Sequence, residues 1–158
     1  MKSYQTAKEQ KQSFEALLGN ALDEECSLDV VQAVHAEIGS MIQMHKESRV
    51  EEPLMLGKEE VKAVLQQNGI SEQALAKFSV DYDETFGFET QLHPKNVIDQ
   101  KKFEIKTPDV VIKVNPDRSD LIETRVIGGV KYIMICADES VEVNGVEINI
   151  ADKEPAMA

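Results

Sequence analysis

Residues 102 to 150 read KFEIKTPDVVIKVNPDRSDLIETRVIGGVKYIMICADESVEVNGVEINI, and their two-residue period decides the fold class. Phe103 and Ile105 alternate with Glu104 and Lys106 until Thr107-Pro108 interrupts the run. Val110, Val111, Ile112 and Val114 form the next strand, and Asn115-Pro116-Asp117 ends it with turn chemistry, because Asn bonds its own backbone and Pro fixes φ. Strand residues return from Leu121 to Ile127, with Gly128-Gly129 as a two-residue hairpin turn. Residues 130 to 137 are apolar on both faces except for Lys131 and the Tyr132 hydroxyl, the pattern of a central strand covered on both sides. Finally Val141 and Val143 face Val146, Ile148 and Ile150 across Asn144-Gly145, a strong short-range hairpin signal.

Upstream the period changes to that of helices. Phe14, Leu17, Leu18, Ala21 and Leu22 mark one face of a helix running from Ser13. Ser27 caps a second helix whose seam is Leu28, Val31, Val34, Ile38, Met41 and Ile42. His35 and His45 lie along that seam as packing residues. Pro53 and its charged neighbours break the chain into a connector. Val61, Val64 and Leu65 then predict a third helix, stopped by Asn68-Gly69. Ser71 caps a fourth, with Ala74, Leu75, Phe78, Tyr82 and Phe86 as its stripe and Gly87 at its end.

Helices first and tightly linked strands afterwards imply an α+β fold. About four N-terminal helices are expected to pack on a C-terminal, mostly antiparallel sheet of four to six strands. The expected organisation is a flexible N-terminus at 1–12, one domain at 13–150 and a flexible tail at 151–158. Within that domain the helical part is 13–100 and the β part is 102–150, which acts as the scaffold for the helices.

Charge and composition exclude several functions. The net charge of −12 opposes phosphate backbones, whose affinity comes from Lys and Arg displacing counterions, and it opposes anionic membranes. No window reaches the roughly 20 apolar residues of a membrane helix. The N-terminus has no apolar run, so it is not a signal peptide. Cys26 and Cys136 form no paired-cysteine motif. A cytoplasmic protein with neither a nucleic-acid nor a membrane partner is expected.

No motif carries an activity. Asp81 to Gly87 opens like a calcium loop, but Phe86 and Leu92 occupy the places of its Gly and its bidentate Glu. The three His residues have no zinc spacing, and no phosphate-binding or nucleophile-elbow motif is present, so neither metal, cofactor nor catalytic residue is assigned. Cys136 is read as a small apolar residue rather than a nucleophile. The candidate ligand-binding residues are Arg118, Asp117 and Asp120 in the 115–120 turn, where a guanidinium could clamp a carboxylate or phosphate bidentately. Local capping and ion pairing explain the same residues without a ligand.

The blocks LDEECSLDVVQAVHAEI, EPLMLGKEEVKAVLQQNGISEQALAKF, FEIKTPDVVIKVNPDRSDLIETRVIGGVKYIMI and VEVNGVEI resemble a bacterial family known as domain of unknown function 4317, in its C-terminal region. The resemblance spans about residues 13 to 150. It implies either the C-terminal domain of a longer protein, whose larger N-terminal region is missing here, or a short relative, and it carries no assigned chemistry. Gly128-Gly129 stands where relatives are expected to have Asp-Gly; either pair suits a tight turn.

Three functions follow as expectations. The first is a non-catalytic interaction or structural module that contacts that N-terminal region, a second copy or another protein. The second is a small-ligand or enzymatic domain using the 115–120 turn. The third is an acidic inhibitor that imitates nucleic acid.

Overall fold

The computed structural model describes residues 6 to 88 and 90 to 151; the expected tail, apart from Ala151, lies outside them, as do the first five residues of the expected N-terminal segment. The chain divides into two compact units, Met1–Ser119 and Asp120–Ala158. Among the described residues the order is α+β: helices first, then six antiparallel strands.

The first unit holds α1 (Ala7–Leu22), α2 (Leu28–Ser48), α3 (Lys58–Gln67) and α4 (Glu72–Phe86), then β1 (Phe103–Lys106) and β2 (Val111–Val114). Helix α1 starts well before Ser13. The Thr6 hydroxyl accepts from the Glu9 N–H, and Lys, Glu and Gln extend the helix without needing an apolar stripe. Ser27 and Ser71 cap α2 and α4 by accepting from Val30 and Ala74 N–H groups. Gly69 and Gly87 carry positive φ after α3 and α4, conformations that a Cβ would disfavour.

The core of this unit is helical. Phe14, Leu17 and Leu22 of α1, Val34, Ile38 and Ile42 of α2, Val61 and Leu65 of α3, and Phe78 and Tyr82 of α4 are buried together. Leu56 and Leu92 close it through a short antiparallel bridge, with Val97 and Ile98 after the 3-10 turn at Pro94–Asn96. The buried line of α2 begins at Val30, not at Val31, which is 40% exposed. Val34, Ile38 and Ile42 of the expected seam are buried, in an i, i+4 repeat that starts from Val30 in place of Val31, and Met41 is half-buried.

The strands differ from the expected single sheet. They form three two-stranded hairpins: β1 with β2; β3 (Ile122–Ile127) with β4 (Val130–Ile135); and β5 (Val141–Val143) with β6 (Val146–Ile148). Of the strand residues only Phe103 and Ile122 are buried. The β segment is therefore not the scaffold for the helices, which carry their own core. Strand β4, expected to be central and covered, is exposed along its whole length. Apolar residues on both faces mark a strand that needs cover; they do not say that its own chain supplies it.

The hairpin turns match their dipeptides. Gly128 and Gly129 have φ of +56° and +80°, and Asn144 and Gly145 have +51° and +80°. Positive φ at both central residues matches the right-handed twist of the flanking strands.

Candidate functional site

Asn115-Pro116-Asp117 turns as expected: the Asn115 side-chain oxygen accepts from the Asp117 N–H at 3.0 Å, and its carbonyl accepts from Arg118 N–H at 2.8 Å. The chain then continues as a 3-10 segment, Pro116–Leu121, kinked at Arg118 where φ is −122°. Asp117 lines an open cleft of about 750 Å³ together with Lys101, Lys102, Phe103, Lys113 and Asn115. Arg118 is an exposed residue outside that lining, and Asp120 opens the second unit. The three candidates thus fall in different places, with Asp117 alone in a cavity wall.

Sequence reasoning missed the lysines opposite Asp117. Their signal is local: residues 95 to 113 hold five Lys against three acids, in a chain of net charge −12. Averaging charge over the whole chain hid them. Not all are free to meet an anion. The Glu104 carboxylate sits 3.2 Å from the Lys106 ammonium and 3.6 Å from that of Lys102. The Lys106 hydrogen bond, with the charges of Lys102 and Lys113, holds the Glu104 carboxyl below its ordinary range.

Next to this cleft an apolar groove of about 540 Å³ runs between α1, α2 and β1, lined by Phe14, Leu18, Val34, His35 and Phe103 among others. His35 is fixed by packing, as its place on α2 predicts. Its Nε2 lies 3.0 Å from the Asp99 carbonyl and 3.1 Å from that of Lys102. Both partners only accept, so this nitrogen carries the proton. Its ring meets Phe103 edge-on, centroids 5.6 Å apart. The arrangement pins β1 to α2 and leaves the histidine engaged in structure.

A second polar centre joins α3 to α4. Lys58 is 7% exposed and gives its ammonium to both Asp83 oxygens, at 3.1 and 2.9 Å, while sitting 5.7 Å from the Phe88 ring centroid. Tyr82, beside them, donates its hydroxyl to the Thr90 carbonyl. Burial, with the charges of Glu60 and Asp83, pushes its phenol up to about 12. Each member has a partner, so this is a structural staple, and Asp83 is committed to it instead of to a calcium loop. Among the described residues no cluster of His, Cys, Asp and Glu could hold a metal ion.

The second unit offers a surface. Apart from buried Ile122, exposure of the large apolar residues of β3 and β4 runs from 37% at Ile133 and Met134 to 68% at Val126, with Ile127, Val130, Tyr132 and Ile135 between. Pairing in the register Ile122↔Ile135 and Thr124↔Ile133 places Ile122, Val126, Ile133 and Ile135 on one face. The other carries Ile127, Val130, Tyr132 and Met134, with Glu123 and Arg125 paired at 3.2 Å.

The fold and these surfaces define an α+β protein with a helical core and exposed C-terminal hairpins. The chain belongs to the family described as domain of unknown function (DUF4317), which matches residues 1–146 and so takes in the helices as well as the strands instead of singling out a C-terminal region. No curated protein and no solved structure matches it. Among the described residues no helix is long and apolar enough to cross a membrane.

Proposed function

We propose that this chain is a non-catalytic protein-interaction module that presents the β3–β4 hairpin to its partner. One observation carries the reading: β4 is exposed throughout although four of its six residues are Val, Ile or Met and a fifth is Tyr. A two-stranded hairpin gains little stability alone, and contiguous exposed apolar residues mark contact surfaces. A protein partner in a reducing cytoplasm fits two cysteines, Cys26 and Cys136, that are not joined in a disulfide, and a net charge that disfavours nucleic acid and anionic membranes.

The test pairs stability with association. A Val126→Glu, Ile133→Glu double variant of the full chain should keep its unfolding temperature while losing association in sedimentation. A fall in that temperature on the scale of a core substitution would make the hairpin part of the chain's own core and overturn the reading.

A small-ligand function of the 115–120 turn, with Arg118, Asp117 and Asp120, gains one observation: the three lysines around the cleft beside Asp117. Thermal unfolding with inorganic phosphate, on the wild type and on Lys113→Ala, tests it. Stabilisation that the variant loses supports it; no shift in either counts against it. The nucleic-acid mimic has no observation in its favour and is not proposed.

A further inference from the structure

A pocket at the C-terminal end of α2 sets three cationic side chains around an apolar floor, and we infer that it binds a small amphiphilic anion. The ligand class is a compact apolar body that carries a carboxylate or phosphate head. The site lies in the helical unit and does not depend on what covers the hairpins. Its cavity measures about 480 Å³, between α2, the connector that follows it and the 3-10 turn at Pro94–Asn96. Sites for small molecules have this size, with mostly apolar walls and a few polar groups. Ile42 and Pro94 are buried in the floor and Leu54 is half-buried, while Val50 lies 52% exposed beside them. Lys46, Arg49 and Lys95 stand around it, against a single acid, Glu51. In a chain of net charge −12 this is a local reversal of sign. None of the three cations has a hydrogen-bond or ion-pair partner among the described residues.

The walls are held by the chain itself. His45 Nε2 lies 2.6 Å from the Glu52 carbonyl, which only accepts, so this nitrogen donates and ties the connector to α2. The Leu56–Leu92 bridge, at 2.7 and 2.8 Å, joins the connector to the stretch that carries Lys95. Arg49 supplies a second observation. As the C-cap of α2 it holds φ +57° and ψ +25°, the left-handed conformation. Glycine is the ordinary residue at such a helix end, because a Cβ is disfavoured there. The chain keeps an arginine instead, and no bond within the described residues accounts for it. Its planar fork of donors matches a carboxylate or phosphate bidentately, and Lys46 and Lys95 add charge from two different elements. The negative end of α2 would favour Lys46 and Arg49 without any ligand. It accounts neither for Lys95 nor for the apolar floor between them.

NMR titration of the full chain with phenylacetate and with phenyl phosphate tests the site. Benzyl alcohol and inorganic phosphate serve as the body and the head alone. At least one amphiphile should move the Arg49, Val50 and Lys95 amide signals saturably, and the tighter of the two identifies the head. Each half-molecule should bind at least about tenfold more weakly, from the lost charged hydrogen bonds or the lost apolar burial. Arg49→Gly should weaken the amphiphile by about tenfold, yet leave the ligand-free unfolding temperature unchanged or higher, because glycine fits the left-handed cap. Lys95→Ala lies outside the helix and should also weaken binding, which keeps the test decisive if Arg49→Gly fails to fold. Lys113→Ala, in the other cleft, should bind like the wild type. No saturable shift with either amphiphile overturns the site. So do half-molecules that bind as tightly as the whole, or wild-type affinity in both Arg49→Gly and Lys95→Ala. The module reading fails separately, through the unfolding temperature of the Val126, Ile133 double variant.

Discussion

Both polar hydrogens of Ser71 go to Glu25: the backbone N–H reaches Oε1 at 2.8 Å and the hydroxyl reaches Oε2 at 2.7 Å. The same hydroxyl oxygen accepts from Ala74 N–H, so one serine caps α4 and ties it to the 3-10 turn at Asp23–Glu25 after α1. Ser71→Ala should therefore destabilise the helical unit by about 1 kcal/mol or slightly more, the range of a lost N-cap. Urea unfolding followed by circular dichroism measures it.

The same contact sets a pH dependence. The Ser71 hydroxyl, then its backbone N–H, hold the Glu25 carboxyl below the ordinary value of 4.5. A depressed folded value means that the unfolded chain binds the proton more tightly. The contribution is thus fully present above about pH 4.5 and lost as pH falls through the folded value. Glu25→Gln should flatten this part of the acid limb in unfolding curves recorded from pH 6 to pH 3.

Tyr82 gives the opposite limb. Its phenol is raised from 10.0 to about 12, so the folded state holds the proton that the unfolded chain releases. Stability should fall as pH rises between these values. Tyr82→Phe should remove that alkaline loss and cost about 1–3 kcal/mol at neutral pH, because the Thr90 carbonyl loses its donor.

The Lys58–Asp83 pair predicts an asymmetry between two variants. Asp83→Ala leaves a nearly buried ammonium with a main carboxylate partner removed, and should cost about 3 kcal/mol. Lys58→Met keeps the stem's packing and frees the more exposed Asp83 to meet water, so it should cost clearly less. Unfolding midpoints at equal denaturant slope decide the comparison.

Much of this architecture is legible in the sequence, because its signals are local. Asn144-Gly145 and Gly128-Gly129 announce positive φ, and Ser27 and Ser71 announce helix starts, whatever the rest of the chain does. Helical periodicity was less exact: steps of three and four fit both Val30 and Val31, and only packing chooses Val30. Burial of β4 was not legible at all, since a strand apolar on both faces looks the same whether its own chain or another covers it. The cleft escaped for a different reason. Lys101, Lys102, Lys113 and Asp117 gather when β1 pairs with β2, and the register Glu104↔Lys113 is a tertiary fact.

The hairpin turn gives a prediction confined to the second unit. Gly129 has φ of +80° with open space around it, so Gly129→Val adds backbone strain and no clash. Amide exchange in β3 and β4 should speed up, while the unfolding of the helical core stays where it was.

The most direct test of the docking surface is amide hydrogen exchange along β3 as protein concentration rises. Glu123, Arg125 and Ile127 face β4, so their amides should be protected to the same degree throughout. Thr124 and Val126 face outward, and their amides should exchange fast in dilute protein and slow as the exposed hairpin is covered. Outward amides that are already slow in the dilute monomer, or that stay fast at every concentration, would contradict the account.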